Sequence, residues 1–250
     1  MSSITIAVTI FCCLFIGALV GMGLRTIIPQ QHLDADTRDL IKLGVGLIGT
    51  MSALVLGLLV ASTKESYDTK KSEVAQMAGN VILLDRVLAH YGPEAADSRD
   101  ELRTTVAHMV GGNVAKNRLE RFDRAAPVAG EVLFDKMQGL VPHTDAQHAL
   151  QAEAESLAIN IGQTRWLLFA QSGTSISTPI LVIVTLWLTV LYLSFGLFAP
   201  RNPTAFVTLL VCAVSVAAAL FLILDLDRPF SGLMQIPDTP LRNALAAIGK

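Results

Sequence analysis

Apolar and polar positions along this chain are organised on two length scales. On the coarse scale, four runs contain no charged residue: 4–24, 43–61, 179–199 and 204–224. At about 1.5 Å of rise per residue, each matches the roughly 30 Å hydrocarbon core of a bilayer. They predict four transmembrane helices. On the fine scale, the long segment 62–178 between the second and third runs is polar overall, yet its apolar residues recur at helical spacing. Val74, Met77, Val81, Leu84, Leu88 and Tyr91 alternate steps of three and four, which puts all six on one stripe.

Punctuation divides that segment into helices. Gly92-Pro93 stops the first. A second is expected from Ser98 through Leu102, Val106, Met109 and Val114 to Phe122, with Gly111-Gly112 as an irregularity. A short third follows Ala126-Pro127 and carries Val132, Met137 and Leu140. The fourth starts at Thr144, which forms a capping box with Gln147, and continues through Leu150, Leu157, Ile161 and Leu168. Narrow stripes on long helices predict an antiparallel helical bundle. No turn residue separates span two from the first of these helices, so the two are expected to form one rod. Arg165-Trp166-Leu167-Leu168-Phe169 has the order of a segment at headgroup level, or of an ordinary buried helix end.

Composition agrees with a membrane protein. Hydrophobic residues make up 52% of the chain and charged ones 16%, too few to cover a soluble domain of this length. The fold class is therefore all-α and polytopic. Its expected parts are a transmembrane hairpin at 1–61, the bundle at 62–178, a second hairpin at 179–224 and a C-terminal segment at 225–250. The first run has no preceding Lys or Arg, exceeds the roughly 7 to 15 residues of a signal core and lacks a small-x-small site after it, so it is expected to remain as a span. Four crossings place both termini and the bundle on one side. That side holds Lys64, Lys70, Lys71, Arg165, Arg228 and Arg242 near the span ends, against Arg25, Arg38, Lys42 and Arg201 opposite. The excess predicts cytoplasmic termini, with a bacterial inner membrane as the expected location.

Chemistry is sparse. The five histidines are scattered and give no metal-ligand spacing, and there is no phosphate loop, nucleophile elbow or His-Glu-x-x-His. Ser172-Gly173-Thr174-Ser175 lacks the lysine and the preceding strand of a phosphate loop. No catalytic, cofactor or metal residues are assigned, and an enzyme is not expected. Lys116, Arg118, Arg121 and Arg124 are interrupted by Glu120 and Asp123, so they read as a solvated face, with no nucleic-acid partner. A net charge of -2 adds no argument for a charged partner. Cys12, Cys13 and Cys212 all fall within spans and read as small packing residues without a disulfide framework.

The spans are more informative. Gly17 and Gly21 form a small-x-x-x-small pair in span one, while Gly46, Thr50, Ala53 and Gly57 line one side of span two. Small residues let helix backbones approach in lipid, so packing within the chain accounts for both stripes. A small, hydroxyl-bearing face also suits a narrow pore shared among subunits, and Thr178, Thr185 and Thr189 add hydroxyls along span three.

After the fourth span comes Leu226-Asp227-Arg228-Pro229-Phe230-Ser231-Gly232. Asp227 and Arg228 suit pairing or headgroup binding, Pro229 ends the helix, Phe230 suits the aromatic belt, and Gly232 permits the turn. Thr239-Pro240-Leu241 with Leu245 and Ile248 then reads as a capped amphipathic helix. With two spans, a helical segment and two more spans before it, this motif resembles the bestrophin-like membrane domain family over nearly the whole chain. The resemblance implies a homo-oligomer, a pentamer in true bestrophins, that passes small inorganic ions, chloride among them. Phe11 and Phe15 lie in span one and span two has no aromatic residue, unlike the phenylalanine-rich neck of those channels. Their calcium-binding acidic cluster has no counterpart, since Asp225 and Asp227 are too few and too close.

The expected function is thus passive ion conduction with anions slightly preferred. Gly46, Thr50, Ala53 and Gly57 would line the pore, while Asp227, Arg228, Pro229, Phe230 and Gly232 would form an interfacial structural motif. The other reading is a non-conducting scaffold or signalling protein that binds a partner through the stripe Val74 to Tyr91 of its bundle. An alternating-access transporter would need broken helices or internal repeats, and the sequence has neither.

Overall fold

The computed structural model describes residues 2–28, 35–110, 126–171, 176–200, 202–230 and 232–249, with the side chains of 126–129 excepted. The described elements are all helical. They are α1 (Ser3–Ile27), α2 (Ala35–Tyr91), a 3-10 turn (Pro93–Ala95), α3 (Ala96–Val110), α4 (Ala126–Gln138), α5 (Asp145–Ala170), α6 (Thr178–Phe198), α7 (Pro203–Leu226) and α8 (Thr239–Ala247). The Gly111-Gly112 irregularity, the basic cluster around Lys116, the Ser172–Ser175 stretch and Arg201 lie outside the described residues.

Helix ends follow local chemistry. The Ser2 side chain accepts from Thr5 N at 3.2 Å, and Asn202 accepts from Ala205 N at 2.9 Å ahead of Pro203. Each satisfies an amide with no partner inside its own helix. Thr144 accepts from Gln147 N at 3.2 Å, but the Gln147 side chain returns to His143 N at 2.8 Å, one residue before the cap. Gly92 stops α2 with φ of 130°, a conformation open to glycine and costly for other residues. As expected from the missing turn signal, α2 is one helix of 57 residues.

The chain divides into two compact units. The first comprises Met1–Glu65 with Thr174–Asp227. Its core joins Ile10, Leu14 and Ala18 of α1 to Val184, Leu188 and Leu191 of α6 and to Leu209, Ala213 and Leu220 of α7. Among the described residues, four helices, α1, α2, α6 and α7, are long and apolar enough to cross a membrane. Polar contacts at the helix ends include Arg25 donating to Ala199 O, and Ser3 Oγ donating to Leu224 O at 3.4 Å.

The second unit comprises Ser66–Gly173 with Arg228–Lys250. All six residues of the Val74 to Tyr91 stripe are buried in its core, against Leu102, Val106, Met137, Ile161 and Leu168. The scaffold reading required that stripe to be an exposed docking face. It is instead covered by the protein's own helices. The C-terminal helix docks on the same core through Leu241 and Ala244, joined by Ile248 beyond its end. Polar clamps complete the unit. Arg99 donates to both oxygens of Asp85 at 2.9 and 3.2 Å, and Gly249 N donates to the same carboxylate at 3.4 Å. Hydrogen bonding to Asp85, the largest effect, holds the Arg99 guanidinium above its ordinary range. Asn80 and Asn160 bond across α2 and α5 at 2.9 Å.

Candidate functional site

Span two presents three faces. One packs inside the first unit through Val45, Ile48, Val55, Leu56 and Leu59, with Ser52 buried among them at 2% exposure. At about 100° per residue, the stripe Gly46, Thr50, Ala53 and Gly57 lies roughly 140° around the helix from that packed face. All four of its residues are exposed. A Cβ added at Gly46 or Gly57 would meet nothing within 4 Å. The third face carries Leu43, Leu47, Leu54 and Leu58, exposed at 63% to 76%. Their spacing of four, seven and four is helical, so this leucine face was legible in the sequence.

The other small stripe has a different fate. A Cβ on Gly21 would fall 2.0 Å from Leu193 O, and one on Gly196 would fall 2.0 Å from Ala18 O. At Gly17 it would meet Thr189 Cγ2 at 3.0 Å. Gly17, Gly21 and Gly196 are therefore consumed in drawing α1 against α6, as small residues in lipid-embedded helices do. Two hydroxyls of span three are also committed. Thr185 Oγ1 donates to Leu181 O and Thr189 Oγ1 to Thr185 O, both at 2.7 Å, while the Thr189 methyl faces Gly17. Thr50 Oγ1 likewise donates to Leu47 O at 2.8 Å, but its residue stays exposed. The three cysteines are free and exposed on this chain.

Within the 226–232 motif, the described residues after Leu226 leave the helix in a turn. Asp227 caps α7, is 2% exposed, and accepts from Ile176 N at 3.5 Å. Gly232 N donates to Arg228 O at 3.1 Å and Ile236 N donates to Pro229 O at 2.9 Å, which closes the loop. Two expectations need correcting. Phe230 does not sit in an aromatic belt; it is 7% exposed and belongs to the core around Val74 and Leu84. Asp227 is buried, not displayed to headgroups, and its carboxylate accepts from a backbone amide. Burial in the second unit lowers the pKa of Arg165, and its neighbour Trp166 is 62% exposed.

Four apolar helices long enough to cross a bilayer, among described elements that are all helical, define an integral membrane protein. The model of the Bestrophin-like domain matches residues 12–241, and the chain belongs to that family. In fold it is similar to a bacterial bestrophin homolog from Klebsiella pneumoniae, solved by crystallography as a point mutant. The TM-score is 0.58 at 14% identity, and the match covers 97% of this chain and 99% of that one. No curated protein matches the sequence.

Proposed function

We propose that the protein is an oligomeric channel for small inorganic ions, passive in operation, with α2 of each subunit lining a shared axis. The observation that carries this reading is the contrast between the two small stripes. That of α1 is spent on α6, whereas in α2 a Cβ at Gly46 or Gly57 would meet nothing within 4 Å, and Thr50 and Ala53 between them are exposed. A single chain of four spans encloses no water-filled path, so the axis requires several copies, and family membership makes a pentamer the expected assembly. The leucine face, next to the small one, then serves lipid or the neighbouring subunit. Termini and helical unit are assigned to the cytoplasm of a bacterial cell on the Lys and Arg count.

Ion sign is the weakest determinant. The O–H of Thr50 is spent on Leu47 O and gives an anion no proton, so the anion preference, drawn from the family, is slight. Purified protein of known oligomeric mass, fused into planar bilayers, should show unitary currents, and a chloride gradient should shift the reversal potential toward the chloride equilibrium value. Silence over many fusions at symmetric high salt rejects conduction. Exchanging Gly46 or Thr50 for a bulky side chain should change conductance at unaltered oligomer size; unchanged currents remove α2 from the pore.

A further inference from the structure

The second unit holds a cavity of about 310 Å³ that conduction does not use. Helices α2, α3, α4 and α5 contribute its walls, which are mostly apolar. Three features distinguish it from a packing fault. Gly162 and Gly130 border it, and a Cβ on either would meet nothing within 4 Å. Thr105 is in the wall, 5% exposed, and its hydroxyl has no hydrogen-bond partner among the described residues. Glu131 and Asp135, both exposed, and the half-buried Arg165 supply its charges.

Each feature restricts the ligand. The volume lies at the lower end of small-molecule sites, roughly 300–1,000 Å³. It holds about ten methylene-sized groups if each occupies about 30 Å³, as a water does. Two carboxylates outweigh the single Arg165 guanidinium against an anion, and because both carboxylates are exposed, solvent screens the attraction they would offer a cation. A buried hydroxyl without a partner is satisfied by one polar atom on an otherwise apolar molecule. We propose that this cavity binds a neutral, largely apolar small molecule bearing one carbonyl or hydroxyl group, which pairs with the Thr105 hydroxyl. The proposal does not depend on conduction.

The test uses the full-length protein in lipid nanodiscs. Trp166 borders the cavity, and the chain has one other tryptophan, Trp187, so Trp187→Phe leaves a single reporter. Titration with 2-nonanone should produce a saturable change in Trp166 emission, on top of any linear response to partitioning into lipid. Thr105→Val, nearly the same shape, should weaken it about two- to tenfold, the factor expected for one neutral hydrogen bond. Gly162→Leu should abolish it, with the melting temperature of the protein confirming that the variant folds; if it does not fold, Thr105→Val decides alone. Nonanoate should bind at least about tenfold more weakly than the ketone, a charge penalty of about 1.4 kcal/mol. Absence of a saturable phase, parental affinity in Thr105→Val, or equal affinity for nonanoate overturns the proposal.

Discussion

Replacing Gly21 with alanine adds one methyl group where α1 meets the α6 backbone. The new Cβ would lie 2.0 Å from Leu193 O and 2.9 Å from both Leu193 C and Leu197 N, whereas ordinary contact begins near 3.4 Å. A backbone oxygen within a helix cannot swing aside, so the helices must separate locally by about 1.4 Å, beyond the roughly 0.5–1 Å gap that already forfeits a quarter to a half of a contact. Overpacking costs about 1–3 kcal/mol, and this site belongs at the upper end. The better helix preference of alanine returns about 0.5–1 kcal/mol. The net expectation is a loss of about 2 kcal/mol. Gly46→Ala is the internal control: with nothing within 4 Å, it should leave stability unchanged or raise it by about 0.5–1 kcal/mol. Reversible unfolding in mixed micelles, followed by circular dichroism, measures both. A Gly21→Ala protein that unfolds with the parent, or a Gly46→Ala protein equally weakened, refutes the assignment of the first stripe to internal packing and of the second to open space.

Three further substitutions test the second unit. Phe230→Ala should cost about 3–5 kcal/mol in thermal or chemical unfolding, the price of a core aromatic; a loss below about 1 kcal/mol would return Phe230 to the surface. Tyr91→Phe should be neutral or should raise the melting temperature, because the buried hydroxyl has no partner among the described residues and its removal relieves about 1–3 kcal/mol of desolvation; a clear destabilisation would reveal a missed partner. Asp85→Ala should destabilise by about 3 kcal/mol, since it strips Arg99 of a two-pronged, charge-assisted bond and Gly249 N of its acceptor, and hydrogen exchange should rise at the C-terminal helix; unchanged protection there would show that the clamp holds nothing.

Two physical periods made much of this molecule legible without coordinates. Bilayer thickness sets the length of a charge-free run, and the runs 4–24, 43–61, 179–199 and 204–224 coincide to within a few residues with α1, the apolar part of α2, α6 and α7, helices long and apolar enough to cross a membrane. The helical repeat sorted Val74 through Tyr91 onto one face, and all six residues are buried together. The Thr144 cap was local enough to read as well, since its hydroxyl needs only the Gln147 amide three residues on, whereas the Gln147 side chain went to His143 N and Tyr91 O in place of the Thr144 amide. What a stripe faces is another matter. Gly17-Gly21 and Gly46-Gly57 look alike in sequence, and only the position of a second helix, contributed by residues more than a hundred positions away, decides that one is filled and the other open. Phe230 is equally at home in a belt or a core by its chemistry, and long-range packing chose the core. The cavity beside Thr105 is a property of four helices at once, so no single segment carried a sign of it.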